Sequence, residues 1–353
     1  MHIENKEVLS FDDVILIPQY SDLKTRRNIN TNVDITFNSK SLRFKNPIIS
    51  SPMSTVTESD MSNAMISQGG LGIIHRYNTI EHQSSLLSCV NHKDYRAAAI
   101  GASGDYKERL AELVRNDLNI VCIDVAHGDH LLVEEAIEYI QSNYPELFII
   151  AGNIATGDAY KRLSYSGAHA IRTSVGSGSI CTTRIQTGHG MPTFQAILDC
   201  NRARDEMLRN GEKNVAYIIA DGGIKNSGDI VKSLSAGADF VMLGSILSGT
   251  KETPGKVITV KNNKKIKKYN GMASKDAQKD WKGSYNSVEG VSSTVPYKGS
   301  VIKVINEVLS NIRSGMSYSG ASDLSELREY ATFARQTNNS NIEGNPHIFN
   351  RKK

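Results

Sequence analysis

Short apolar runs recur along the chain at 47–51, 72–75, 97–101, 120–124, 148–152, 170–172, 216–221 and 240–244. Most gaps between them carry apolar residues at helical spacing, as in Leu131, Val133, Ala136, Ile137 and Ile140. Runs this short and apolar read as strands buried on both faces, and their alternation with helices predicts repeated βα units with a parallel sheet. Eight units predict a closed (β/α)8 TIM barrel, an α/β fold. A doubly wound sheet is the structural rival, but no Gly-x-Gly-x-x-Gly turn joins a first strand to a helix.

A barrel builds its active site from the residues that follow each strand. Those residues are polar or glycine-rich here: 50–54, His75-Arg76, 124–128, Gly152-Asn153, 174–184, 221–223 and Gly244-Ser245. The rhythm changes after the eighth run. A hairpin centred on Asn262-Asn263 is predicted, then a segment at 270–299 that reads as a mobile flap, then a helix over 300–313. The expected organisation is one barrel domain over 1–337, with hairpin and flap at about 255–299 and no inserted regulatory domain. A tail at 338–353, rich in Asn and charge, is expected to be flexible.

Composition narrows the classes. The 353 residues are 39% apolar with a formal charge of +4, and no apolar stretch approaches the roughly 20 residues of a membrane span. A soluble protein acting on small anionic ligands is expected rather than a nucleic-acid binder or a membrane protein. The start of the chain is charged and lacks an apolar leader core, so the cytoplasm is the expected location. The basic run 261–268 reads first as a solvated hairpin and second as an electropositive rim for phosphates. Cys89, Cys122, Cys181 and Cys200 have no Cys-x-x-Cys spacing, which predicts free thiols.

The stretch 175–184, Val-Gly-Ser-Gly-Ser-Ile-Cys-Thr-Thr-Arg, places a thiol on a glycine-rich loop after the sixth strand. That makes Cys181 a candidate nucleophile with Thr183 beside it, while Cys89, Cys122 and Cys200 read as buried structural residues. Asp221, Gly222 and Gly223 end the seventh strand, and Gly244 and Ser245 the eighth, the usual place for phosphate on a barrel. Asp221 suits sugar hydroxyls; its bland alternative is a helix cap for the turn near Asn226. His75, His127 and His189 read equally as catalytic groups or as packing residues.

Taken together, 10–14 (Ser-Phe-Asp-Asp-Val), 70–75, 124–128, 151–153, 178–184, 221–224, 269–272 and 288–290 resemble the IMP dehydrogenase and GMP reductase family, in order, from about residue 8 to about 335. Dehydrogenases of the family usually carry regulatory domains after the second strand and an Arg-Tyr pair on a long flap that activates water. Neither feature occurs here, and 317–321 and 331–335 look like the reductases' C-terminal stretches. The resemblance therefore implies NADPH-dependent reductive deamination of GMP to IMP and ammonia, in a homotetramer. The rivals are an IMP dehydrogenase without regulatory domains, oxidising IMP with NAD, and a non-catalytic purine-nucleotide-binding barrel.

By the same resemblance, Cys181 attacks the purine and Thr183 with Glu289 handles protons. Ser179, Gly223, Gly244, Ser245 and Tyr269 hold phosphate, Asp221 the ribose, and Met272 with Ala273 the base edge, while Gly222, Gly271 and Gly290 also bind substrate. Asp124, Ala126, Arg76 and Gly176 face the cofactor. Carbonyls of Gly176, Gly178 and Cys181 hold a potassium ion. Some positions depart from the family pattern: Gly-Ser-Gly-Ser stands for Gly-Pro-Gly-Ser, Arg172-Thr173-Ser174 for Lys-Val-Gly, Arg76 for lysine, 191–193 for a stretch with glutamine after proline, and Asn286 for an arginine. They leave the cation site and the base contacts open.

Overall fold

The computed structural model describes residues 6–38, 40–283 and 288–346, and of 280 and 282 the backbone only. Eight parallel strands close into a barrel: Ile48–Ser50, Leu71–Ile74, Ala97–Ile100, Ile120–Asp124, Phe148–Ile154, Ala170–Thr173, Tyr217–Asp221 and Phe240–Leu243. The ring shuts where Leu243 registers with Ser50. Each strand falls on a predicted apolar run, because a strand packed on barrel interior and outer helix alike has no solvated face. This is a TIM barrel.

Several of the helices begin where a side-chain oxygen caps them. Thr79, Thr156 and Asn226 each accept a backbone N–H from three residues on, and Ser300 one from two residues on. Asn226 thus caps the helix Ser227–Ser235, which leaves Asp221 to the barrel mouth. The helix Leu131–Asn143 buries Val133, Ala136, Ile137 and Ile140, whereas Leu131 in its first turn is exposed. The second strand reaches the third through one helix, Ile80–Ser88, and a single turn, Lys93–Tyr95.

Further elements lie outside the βα pattern. An antiparallel hairpin, Val33–Phe37 with Lys40–Phe44, closes the end of the barrel away from the site. Its alternate residues Val33, Ile35 and Phe37 are buried, and Phe37 and Phe44 meet Phe148 and Phe240 edge to face. Near the chain ends, Val14–Leu16 pairs with Phe333–Arg335. The expected flexible tail begins instead as a helix, Asn338–Glu343, capped by Thr337 and packed beside the turn Phe11–Asp13. Gln336 anchors it by donating to the carbonyls of Asp12 and Val14. Residues 347–353 of that tail lie outside the described residues.

The predicted hairpin forms, with Asn262 and Asn263 both at positive φ (62° and 54°) as a tight reversal requires. Its second strand, Lys265–Asn270, also pairs with Ser292–Pro296, so the expected flap is framed by a three-stranded sheet and contains a helix, Lys275–Lys282. Ser274 caps that helix. The basic run is not uniformly solvated either. Lys267 is buried, and its ammonium donates to the carbonyls of Thr250, Lys251 and Thr253. Hydrogen bonding to three carbonyls offsets the desolvation of that charge and ties the sheet to the loop after strand eight.

Candidate active site

The ends of the strands surround a cleft of about 590 Å³. On one wall, the loop 175–181 brings Cys181 to the cleft, and the Cys181 Sγ lies 3.1 Å from Thr183 Oγ1. Thr183 Oγ1 donates to Glu289 Oε2 at 2.8 Å. Glu289 arrives from 106 residues away because its segment is stitched between two others. Thr182 N donates to Glu289 O, Val291 N to Ile180 O, and Glu289 N to Ala273 O, at 2.8, 3.0 and 3.1 Å. A hydroxyl that gives its proton to a carboxylate keeps a lone pair for a thiol, so the three groups form a continuous hydrogen-bonded chain.

The Gly-Ser-Gly-Ser loop is braced by side chains. Arg184 donates to Ser177 Oγ at 2.7 Å, and Ser177 Oγ in turn donates to Met191 O at 3.0 Å. The loop also packs against the end of strand seven. Gly222 and Gly223 have φ of 81° and 74°, and a Cβ on either would come within 3.1 Å of Gly178 N or 3.0 Å of Thr193 Oγ1. Only glycine combines that backbone with that approach. Gly244 sits equally close to the buried Tyr269, whose hydroxyl is 3.4 Å from Ser179 Oγ. Burial pushes the Tyr269 phenol up, with the Ser179 hydrogen bond opposing it, so the hydroxyl stays a donor. Ser245 completes this rim, while Gly271, Met272, Ala273 and Gly290 line the wall facing Cys181. Met272 Sδ is held there by Ser54 N at 3.2 Å.

Arg76, Asp124 and Ala126 also line the cleft, as does Gly176 of the cysteine loop. Arg76 Nε donates to the Asp124 carbonyl at 3.2 Å, and its guanidinium lies 5.1 Å from the Tyr77 ring and 5.4 Å from the Trp281 ring. Those rings meet at 4.6 Å. The cluster is cation–π in character and joins the helix Lys275–Lys282 to the loop after strand two.

Between the walls runs Arg172, only 6% exposed. Its Nη1 donates to Asp124 Oδ1 at 2.5 Å and its Nη2 to Asp221 Oδ2 at 2.8 Å. Burial alone would lower the guanidinium pKa, but Asp221 and Asp124 outweigh it and hold the group well above its ordinary value. Asn153 donates to Asp221 Oδ2 and to Ser174 O at 2.9 and 3.0 Å. Ser174, where the resembling proteins commonly carry glycine, takes φ 121°, a strained backbone for a side chain, beside the cysteine loop.

A family model described as "IMP dehydrogenase / GMP reductase domain" matches residues 8–347. The chain belongs to the IMP dehydrogenase and GMP reductase family. It is 36% identical to a GMP reductase of Phytophthora infestans, over 94% of this chain and 92% of that one. It is 35% identical to an inosine-5'-monophosphate dehydrogenase of Borreliella burgdorferi, over 97% of each. Among solved structures, a GMP reductase of Trypanosoma brucei, a cysteine-to-alanine variant in complex with guanosine 5'-monophosphate, superposes with a TM-score of 0.88. The two are 26% identical, over 98% of each chain. It is thus a member of an oxidoreductase family, which implies a nicotinamide cofactor.

Every residue given a catalytic, substrate, cofactor or cation role by the resemblance lines the same cleft. The histidines do not. His75 is buried, accepting from Tyr77 N on Nδ1 and meeting Glu58 through Nε2, while His127 and His189 are exposed away from the lining. Cys122 and Cys200 are buried as expected, and burial pushes the Cys122 thiol up to about 12 and the Cys200 thiol up as well. Cys89, expected to be buried, is exposed at the end of its helix, because the helix presents that turn to solvent. Asn286 lies outside the described residues. Missed by sequence reasoning were Tyr77, Trp281 and the bridging role of Arg172. Arg172 had shown one signal: a charge inside an otherwise apolar strand.

Proposed function

We propose that the protein is a GMP reductase, converting GMP to IMP and ammonia with NADPH through a covalent adduct on Cys181. The observation that carries this reading is the hydrogen-bonded series Cys181–Thr183–Glu289 on the cleft wall. Deamination needs a nucleophile at the purine carbon and a proton for the departing amine, and these groups offer both within 3.1 Å. The stretch 273–288 contains no arginine, so it lacks the Arg-Tyr pair expected of a dehydrogenase that must activate water.

The Cys181 sulfur adds to C2 of the guanine base. Thr183, backed by Glu289, delivers a proton to the exocyclic amine, which leaves as ammonia. NADPH, held beside Arg76, Tyr77 and Asp124, would supply the hydride that C2 takes up, and loss of the Cys181 sulfur from that carbon would release IMP. Ser179, Gly222, Gly223, Gly244, Ser245 and Tyr269 hold the phosphate, largely through backbone N–H groups, and Asp221 holds the ribose. Met272, Ala273, Gly271 and Gly290 border the base.

The cofactor's fit rests on the wall with Arg76, Tyr77 and Asp124, a cation and an aromatic ring beside a carboxylate suited to a nucleotide. Asn153 Oδ1 is buried with no partner among the described residues, an acceptor that a ligand hydroxyl would satisfy. The resemblance would place a monovalent cation on the backbone carbonyls of Gly176, Gly178 and Cys181, of which the Gly178 carbonyl already accepts from Cys181 N. No group of three His, Cys, Asp or Glu side chains suited to a metal occurs among the described residues. The assembly expected is a cytoplasmic homotetramer, to be checked by sedimentation.

The deciding experiment follows absorbance of the reduced nicotinamide with purified protein. GMP-dependent loss of NADPH absorbance with release of ammonia is the expected result. A gain of absorbance with IMP and NAD would assign the dehydrogenase instead, and silence in both assays the binding-only barrel.

A further inference from the structure

Arg172 lies across the floor of the cleft, and its hydrogen bonds are distributed unevenly over the two carboxylates that it joins. On Asp221 they fall on one oxygen: Oδ2 receives Arg172 Nη2 at 2.8 Å, Arg172 Nε at 3.2 Å and Asn153 Nδ2 at 2.9 Å. No described residue donates to Oδ1. On Asp124, Oδ1 receives Arg172 Nη1 at 2.5 Å, while Oδ2 has only Arg76 Nε at 3.9 Å. Each carboxylate is therefore pinned by one oxygen and free at the other, on the cleft side of a buried cation.

A carboxylate pinned in this way accepts from a pair of neighbouring hydroxyls in a fixed orientation, which is what a ribose presents. A freely rotating one pays ordering entropy first. Without the guanidinium, the two carboxylates would also face each other across the floor with no charge between them, which disfavours their shared ionisation. We infer that Arg172 is a positioning residue that sets Asp221 and Asp124 as a pair of diol acceptors, so that one guanidinium governs recognition of the sugar on both sides of the cleft. This rests on the nucleotide-binding reading above and extends it to a residue that touches no substrate.

A planar guanidinium reaches two partners at once, and an ammonium does not replace that fork. Arg172→Met removes the bridge, and Arg172→Lys keeps the buried charge without the two-sided geometry. The measurement is equilibrium binding of GMP and of 2'-deoxy-GMP by titration calorimetry, without cofactor, alongside the KM for NADPH. The wild-type protein is expected to prefer the ribonucleotide by about tenfold or more, the scale of hydrogen bonds to a charged acceptor. In Arg172→Met that preference falls to the level of Asp221→Asn, and the KM for NADPH rises together with it. In Arg172→Lys it falls at least severalfold.

A purely structural role would lower the unfolding midpoint and leave the ribose-to-deoxyribose ratio unchanged, and that result overturns the inference. If Arg172→Met does not fold, a wild-type ratio in Arg172→Lys overturns it equally. A wild-type protein that binds both nucleotides alike removes the inference while the reductase assay stands independently. A wild-type protein that binds neither removes both readings.

Discussion

The two ends of the barrel are made of the same strands and have opposite chemistry. At the closed end, Val33, Ile35, Phe37 and Phe44 of the hairpin fit against Phe148 and Phe240. The neighbouring His169 is stacked on Phe148 and held neutral, burial pushing its pKa down to about 4. At the open end, a thiol, carboxylates, a guanidinium and glycine turns stand where each strand stops. In a barrel the strand tips at one end are free of packing duties, so reactive groups concentrate there and bulk at the other. The difference teaches that a residue's distance along its strand decides whether replacing it harms turnover or stability.

That division can be broken at either end. Cys181→Ala should abolish GMP-dependent NADPH consumption while leaving circular dichroism and the unfolding midpoint within error of wild type. Measurable turnover by that variant would remove the covalent scheme. Thr183→Val should follow with a kcat loss of about 10²- to 10⁴-fold and little change in the KM for GMP, the usual worth of a positioned proton donor. A loss confined to KM would make the hydroxyl a binding group.

At the closed end the expected sign is reversed. Phe44→Ala should cost about 3–5 kcal/mol of stability by leaving a cavity against Phe240, yet keep near-native kcat in the folded fraction. Urea unfolding monitored beside steady-state kinetics tests both halves. The smallest effect is on pH. Since the folded pKa of His169 lies near 4 and the unfolded value near 6.5, the unfolded state binds the extra proton. Stability should be full above about pH 6.5 and fall as the pH drops toward 4, by at most about 3 kcal/mol from this group. Unfolding midpoints across that window should fall less steeply in His169→Asn.

The barrel was legible because its strands are buried on both faces and so read as apolar runs without alternation. The mouth was legible because a strand end is a position in sequence as well as in space. Elements that pair at long range were less so. The strand Ser292–Pro296 is exposed for most of its length, and its place beside Lys265–Asn270 comes from backbone pairing rather than side-chain pattern. The helix Asn338–Glu343 buries no residue of its own and owes its position to Thr337 and Gln336. Lys267 looked like its basic neighbours until the loop after strand eight supplied three carbonyls for it.

By itself, the sequence determined the eightfold βα rhythm, the cysteine loop and the membership of the cleft, because local burial and turn chemistry are written in consecutive residues. Tertiary structure decided which groups touch. The 2.8 Å contact of Thr183 with Glu289, the packing of Arg76 and Tyr77 against Trp281, and the Arg172 bridge all join segments far apart in the chain. Such contacts depend on the register and curvature of the closed sheet, which no single stretch of residues encodes.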